Sequence, residues 1–150
     1  MRDELLPEGS PLTLRVLVVE DDPAIRLMAV DILSDAGFET LEAGDAAQAL
    51  EALKNSEHKI DILFTDVRMP GMNGLELARV AKHQHTQLHV IVTSGQHEKE
   101  LPTGAKFLAK PWCASELLRL AASAAESRIL LPKTRPASPH RNCQHYSQGY

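Results

Sequence analysis

The sequence predicts an α/β domain built on a parallel sheet with helices on both faces. Three observations carry this. Five short runs are apolar at consecutive rather than alternate positions, the mark of strands buried on both faces. Stretches of helical periodicity separate most of these runs, so strand and helix alternate along the chain. The 150 residues, 43% hydrophobic and 24% charged, match one soluble globular domain with an ordinary core and leave no room for a second.

The elements follow in order. Residues 1–13 mix Pro7, Gly9, Ser10 and Pro11 with charge and read as a flexible leader. Leu14–Val19 (LRVLVV) is the first strand, running into Glu20, Asp21 and Asp22. Asp22 followed by Pro23 is an N-cap with a first-turn proline, and the helix it starts offers Ile25, Met28, Ala29, Ile32 and Leu33 to a core before Gly37 stops it. Phe38–Glu42 is a short strand, and Asp45 caps a helix with Ala46, Ala49, Leu50 and Leu53 on one face. Ile60–Thr65 (IDILFT) is a strand ending at Asp66. After a Pro70-Gly71 turn, Asn73 caps a helix through about Lys82 with Leu75, Leu77, Ala78 and Ala81 apolar. Leu88–Thr93 and Ala105–Ala109 are the last strands. Cys113 or Ser115 opens a final helix to about Ile129, using Leu117, Leu118, Leu120, Ala121 and Ala125. The domain is expected over 14–131, and 132–150, with three prolines and no periodicity, as a disordered basic tail.

Charge and cysteine content narrow the function. All 20 acidic residues lie in 1–131, leaving that stretch at −7 and the tail at +3. A body this acidic is a poor non-specific binder of nucleic acid. No apolar run approaches the ~20 residues a membrane helix needs, and no signal-peptide core is present, so the expected location is cytoplasmic. Cys113 and Cys143 offer no disulfide framework and fit a reducing compartment, with Cys113 read as a small packing residue. His83, His85, His89 and His97 are read as surface residues rather than a transition-metal site, and Trp112 as packing against the last helix rather than as an exposed anchor.

In an open parallel sheet, ligands bind beyond the carboxyl ends of the strands. Those ends carry Glu20 and Asp21, Asp66, Thr93, and Lys110 before Pro111. Singly each is unremarkable, since acids after strands often cap helices. Together they place three carboxylates, a hydroxyl and an ammonium on one edge. Crowded carboxylates repel unless a cation intervenes, and a hard divalent ion such as Mg²⁺ suits oxygen ligands and phosphate. The lysine then balances a phosphoryl oxygen, and Thr93 donates to another. The site therefore asks for a phosphoryl group on a nucleophilic carboxylate, for which Asp66 is the best candidate because Glu20 and Asp21 look like the metal cradle.

The segments VLVVEDDPAIR, FTDVRMPGMNGLEL, VIVTSG and FLAKPW resemble the receiver domains of two-component response regulators, in order and over about residues 14–131. The resemblance implies a flavodoxin-like five-stranded sheet of order 2-1-3-4-5. It implies phosphoryl transfer from a histidine kinase or a histidine phosphotransfer protein to Asp66. By position it assigns Glu20 and Asp21 to Mg²⁺ with Asp21 the closer, Arg68 to a backbone-carbonyl metal contact, Thr93 and Phe107 to the switch, Lys110 to the paired lysine, and a cis bond to Lys110-Pro111. Glu20 stands where aspartate is commoner, so it is expected to reach metal through water. Arg68 places a long cation beside the phosphorylation site, where it would slow or steer hydrolytic water, and Gly95 removes any side chain two residues past Thr93.

The reading is a stand-alone, single-domain regulator, not an enzyme with a separate substrate, monomeric or weakly dimeric. It acts through a downstream protein target or as a phosphate sink. The alternatives are a pseudo-receiver that binds partners without phosphorylation, against which the full Glu20/Asp21/Asp66/Thr93/Lys110 set argues, and an aspartyl-phosphate phosphohydrolase resembling the haloacid dehalogenase family. The latter would place its nucleophile in a D-x-D pair after the first strand and carry a cap. One segment departs from the pattern: SGQHEKELPTG, Ser94–Gly104. From Thr93 to Lys110 is 17 positions, about five fewer than usual in the family, so more than a helical turn is missing. A shortened or missing fourth helix is expected there, frayed and moving on phosphorylation, in a surface better suited to a kinase or phosphotransfer partner than to symmetric dimers.

Overall fold

A computed structural model of the chain describes residues 13–55 and 57–129. The expected leader (apart from Thr13), the tail and the last residues of the expected domain lie outside the described residues. The elements run β1 Arg15–Val19, α1 Pro23–Asp35, β2 Glu39–Ala43, α2 Ala46–Lys54, β3 Ile62–Asp66, α3 Gly74–Gln84, β4 His89–Ser94, β5 Lys106–Ala109 and α4 Ala114–Ile129. The five strands form one parallel sheet in the order β2-β1-β3-β4-β5, as expected.

Alternate residues of each central strand feed the two faces. Leu17, Val19, Leu63, Val90 and Val92 join α2 and α3 through Ala49, Leu53, Leu77, Ala78 and Ala81. Val16, Val18, Ile62, Phe64 and Ile91 join α1 and α4 through Ala29, Leu33, Leu117, Ala121 and Ala124. Each fully buried aliphatic side chain contributes roughly 1.5–3 kcal/mol, so the central strands are where the fold is held. Trp112 belongs to the second cluster, 4% exposed, its ring edge-on to Phe64 at 5.9 Å. It is a core residue, as expected, though it meets the sheet as well as the last helix.

The helix starts read from the sequence are built as read. The Asp22 carboxylate accepts from the Ala24 and Ile25 amides, and Asp45 from the Gln48 amide. Asn73 forms a reciprocal capping box with Glu76. Gly37, with φ 100°, ends α1 in the left-handed region, which a side chain disfavours. Cys113 is buried, 2% exposed, as a packing residue is expected to be, but it is disulfide-bonded, which corrects the expectation of no disulfide.

Between β4 and β5 there is no helix. The fourth crossover is an irregular segment with bends at Gly95, Gln96 and Lys99, closed by a turn at Thr103-Gly104, where the Ala105 amide donates to the Pro102 carbonyl and Gly104 has φ 84°. Half-buried Leu101 and Ala105 pack against the α2/α3 cluster, covering apolar surface that a crossover helix would otherwise shield. The missing helix is therefore replaced, in part, by two side chains of an irregular strand-to-strand link.

Candidate functional site

The carboxyl ends of β1, β3, β4 and β5 come together at one sheet edge. Register explains it: Val19 pairs with Thr65, Asp66 with Thr93, and Thr93 with Leu108, so the residues that end each strand lie at one level. Glu20 prolongs β1 by donating its amide to the Ala43 carbonyl, and Val67 prolongs β3 by donating to the Thr93 carbonyl.

Glu20, Asp21 and Asp66 each present a carboxylate oxygen, and these atoms lie within 4.8 Å of one another. Glu20 and Asp66 are 5% exposed, while Asp21 faces solvent. Lys110 reaches in from β5, its Nζ 3.1 Å from Asp66 Oδ1 and 3.4 Å from Glu20 Oε1. The other oxygen of Glu20 accepts from the Asp22 amide at 3.2 Å. One ammonium thus faces two buried carboxylates, with the exposed Asp21 carboxylate in the same cluster.

The surplus negative charge shows in the ionisation of the group. Burial, then the Asp66 carboxylate, pushes Glu20 from 4.5 up to about 7, although Lys110 opposes the shift. Burial also raises Asp66, again against Lys110. Burial works against the Lys110 charge, but Glu20 and Asp66 together outweigh it and raise its pKa. Three hard oxygen donors in reach of one point, with more negative charge than the lysine offsets, are a donor set that fits a divalent cation.

The remaining expected residues divide. Thr93 is buried but turns its hydroxyl away from the carboxylates, donating to the Leu108 carbonyl at 2.7 Å. Phe107 is half-buried on β5, its ring edge-on to His97 at 6.4 Å. The Lys110-Pro111 bond is cis, and the Lys110 amide donates to the Ser94 carbonyl. Arg68 lies in the loop after β3, and its largely exposed side chain pairs with the β4–β5 crossover rather than with Asp66. It donates to Gln96 Oε1 at 2.8 Å and to Glu98 Oε2 at 3.0 Å.

Two contributors were not singled out from the sequence. Gly74 opens α3 hard against β3, where an added Cβ would sit 1.9 Å from the Asp66 carbonyl oxygen. Its amide donates to the Val67 carbonyl. The signal lay in FTDVRMPGMNG, a glycine eight residues past the acid, but the backbone it must approach is visible only in three dimensions. Glu98 is the second: nothing in a polar link marks a carboxylate that folds back to the end of β4, where the Ser94 hydroxyl donates to it at 2.9 Å.

Comparison with known proteins agrees with this geometry. The family model for the response regulator receiver domain matches residues 16–122. The chain belongs to this family. It is 35% identical over 111 residues to the chemotaxis protein CheY of Bacillus subtilis (strain 168), covering 69% of this chain and 91% of that one. It is 36% identical over 108 residues to the sensor kinase CckA of Brucella abortus (strain 2308), covering 68% of this chain but only 11% of the kinase. A CheY-like receiver domain structure from Methanospirillum hungatei JF-1 superposes with a TM-score of 0.73 at 26% identity, covering 79% of this chain and 98% of that one. Among the described residues no helix of the receiver domain is long and apolar enough to cross a membrane.

Proposed function

We propose that Asp66 is the phosphoacceptor of this receiver domain and takes a phosphoryl group from the phosphohistidine of a histidine kinase or histidine phosphotransfer protein. The observation that carries the reading is the Lys110 ammonium 3.1 Å from Asp66 Oδ1, beside an acidic cluster of Glu20, Asp21 and Asp66. In the transfer the phosphorus–nitrogen bond breaks as a carboxylate oxygen of Asp66 bonds to phosphorus, and the freed imidazole keeps the electron pair. Glu20, Asp21 and Asp66, with the backbone carbonyl of Arg68, would hold Mg²⁺, which when bound neutralises charge on the phosphoryl oxygens.

The protein's own groups do the rest. Burial strips water from the Asp66 carboxylate, and Lys110 holds it oriented and balances charge on the product. Thr93, whose hydroxyl now serves the Leu108 carbonyl, and Phe107 on the neighbouring strand are the switch residues: turning Thr93 toward a phosphoryl oxygen gives up a bond to β5. Output by protein contact, or service as a phosphate sink, suits a single-domain regulator in the cytoplasm, and the match to nearly the whole of CheY supports the single-domain reading.

The test is transfer from a labelled histidine kinase in Mg²⁺ to wild type and to Asp66→Asn. Label on wild type alone is expected. Equal label on both removes Asp66 from the role, and label on neither with several donors favours a pseudo-receiver.

A further inference from the structure

The Arg68 guanidinium sits two residues beyond Asp66, yet it is held by the β4–β5 crossover through Gln96 Oε1 and Glu98 Oε2. The two ends of this pair differ. The Arg68 side chain is 59% exposed, whereas that of Glu98 is 9% exposed. Besides Arg68, Glu98 has the Ser94 hydroxyl at 2.9 Å, and Ser94 also accepts from the Gln96 amide. Ser94 directly follows Thr93, so the crossover is tied both to the loop after the acceptor and to the strand carrying the switch hydroxyl.

We propose that Arg68 and Glu98 form an ionic latch that couples charge on Asp66 to the position of the helix-less crossover, an inference that rests on Asp66 being phosphorylated. A phosphoryl group on Asp66, at the end of β3, adds a dianion two residues before Arg68 and competes for its guanidinium. Once Arg68 turns to it, Glu98 is left a buried carboxylate with a hydroxyl as its partner. Such a charge leaves for water rather than remain unpaired. It takes Gln96–Glu100 with it, and half-buried Leu101 is the pivot. The lack of a helix is what makes this inexpensive, because no run of intrahelical hydrogen bonds has to break.

Trypsin cleavage after Lys99, an exposed residue beside Glu98, reads the latch. Wild type is cut slowly, and beryllium trifluoride with Mg²⁺, a mimic of the phosphoryl group, speeds the cut by about fivefold or more. Arg68→Met is cut fast with no mimic present, since Glu98 is already unpaired. Arg68→Met/Glu98→Gln returns to the slow rate, and Glu98→Gln alone no longer responds to the mimic, because a neutral amide has no charge to expel. If Arg68→Met stays within about twofold of wild type while fluorine NMR shows the mimic bound to wild type, the latch is wrong and the phosphoacceptor reading stands. If fluorine NMR shows no bound mimic on wild type, the phosphoacceptor reading falls and the latch with it.

Discussion

Among the described residues, Lys110 is the one ammonium paired with Glu20 and Asp66, two carboxylates that burial has driven upward in pKa. Removing it leaves Glu20 and Asp66 repelling each other without the ammonium that pairs them, so Lys110→Ala is expected to lower the phosphotransfer rate by about 10²-fold, measured in a labelled-kinase time course. The same crowding sets a pH dependence. Glu20 is raised from 4.5 to about 7, so the folded state binds its proton more tightly than the unfolded chain. That contribution is fully present below 4.5 and is lost as pH rises through about 7; Asp66, also raised, has the same sign. In chelator, wild type is therefore expected to lose stability relative to Glu20→Gln across that window, read from urea midpoints. Mg²⁺ replaces the proton and flattens the difference.

At the scale of elements, the approach of α3 to β3 decides where Asp66 sits. A methyl at Gly74 would meet the Asp66 carbonyl oxygen at 1.9 Å, backbone against side chain, so α3 or β3 has to shift. Gly74→Ala is expected to cost about 1–3 kcal/mol in denaturant unfolding and to impair phosphotransfer beyond what the lost stability explains. The Asn73 cap works on the same turn, and Asn73→Ala, which breaks its bonds to the Leu75 and Glu76 amides, should cost about 1 kcal/mol with phosphotransfer retained. Both caps and helix faces were legible in the sequence because they depend on residues three and four apart. Gly74 was not, because its constraint comes from a strand eight residues away.

For the whole molecule, the two faces of the sheet are covered unequally. On one side α1 and α4 pack on the strands, whereas on the other side α2 and α3 are joined by the crossover residues Leu101 and Ala105. Leu101→Ala is expected to speed cleavage after Lys99 while changing global stability little, since Leu101 is half-buried at the margin of a core centred elsewhere. Cooperative unfolding followed by circular dichroism beside the proteolysis separates the two.

The sequence by itself determined the sheet, the helices, and the carboxylates and lysine at the strand ends. Runs of consecutive apolar residues fix buried parallel strands, and the residue after each run is then carried to the same edge. It also determined, from 17 positions between Thr93 and Lys110, that the fourth crossover has too little chain for its usual helix. Only the tertiary structure decided what holds that segment instead. Arg68 with Glu98, Ser94 with Glu98, and Leu101 against the α2/α3 core are contacts between residues distant in sequence. No local propensity encodes them. It also decided that Thr93 rests on the Leu108 carbonyl, because a hydroxyl finds its partner through packing, and packing is a property of the folded chain.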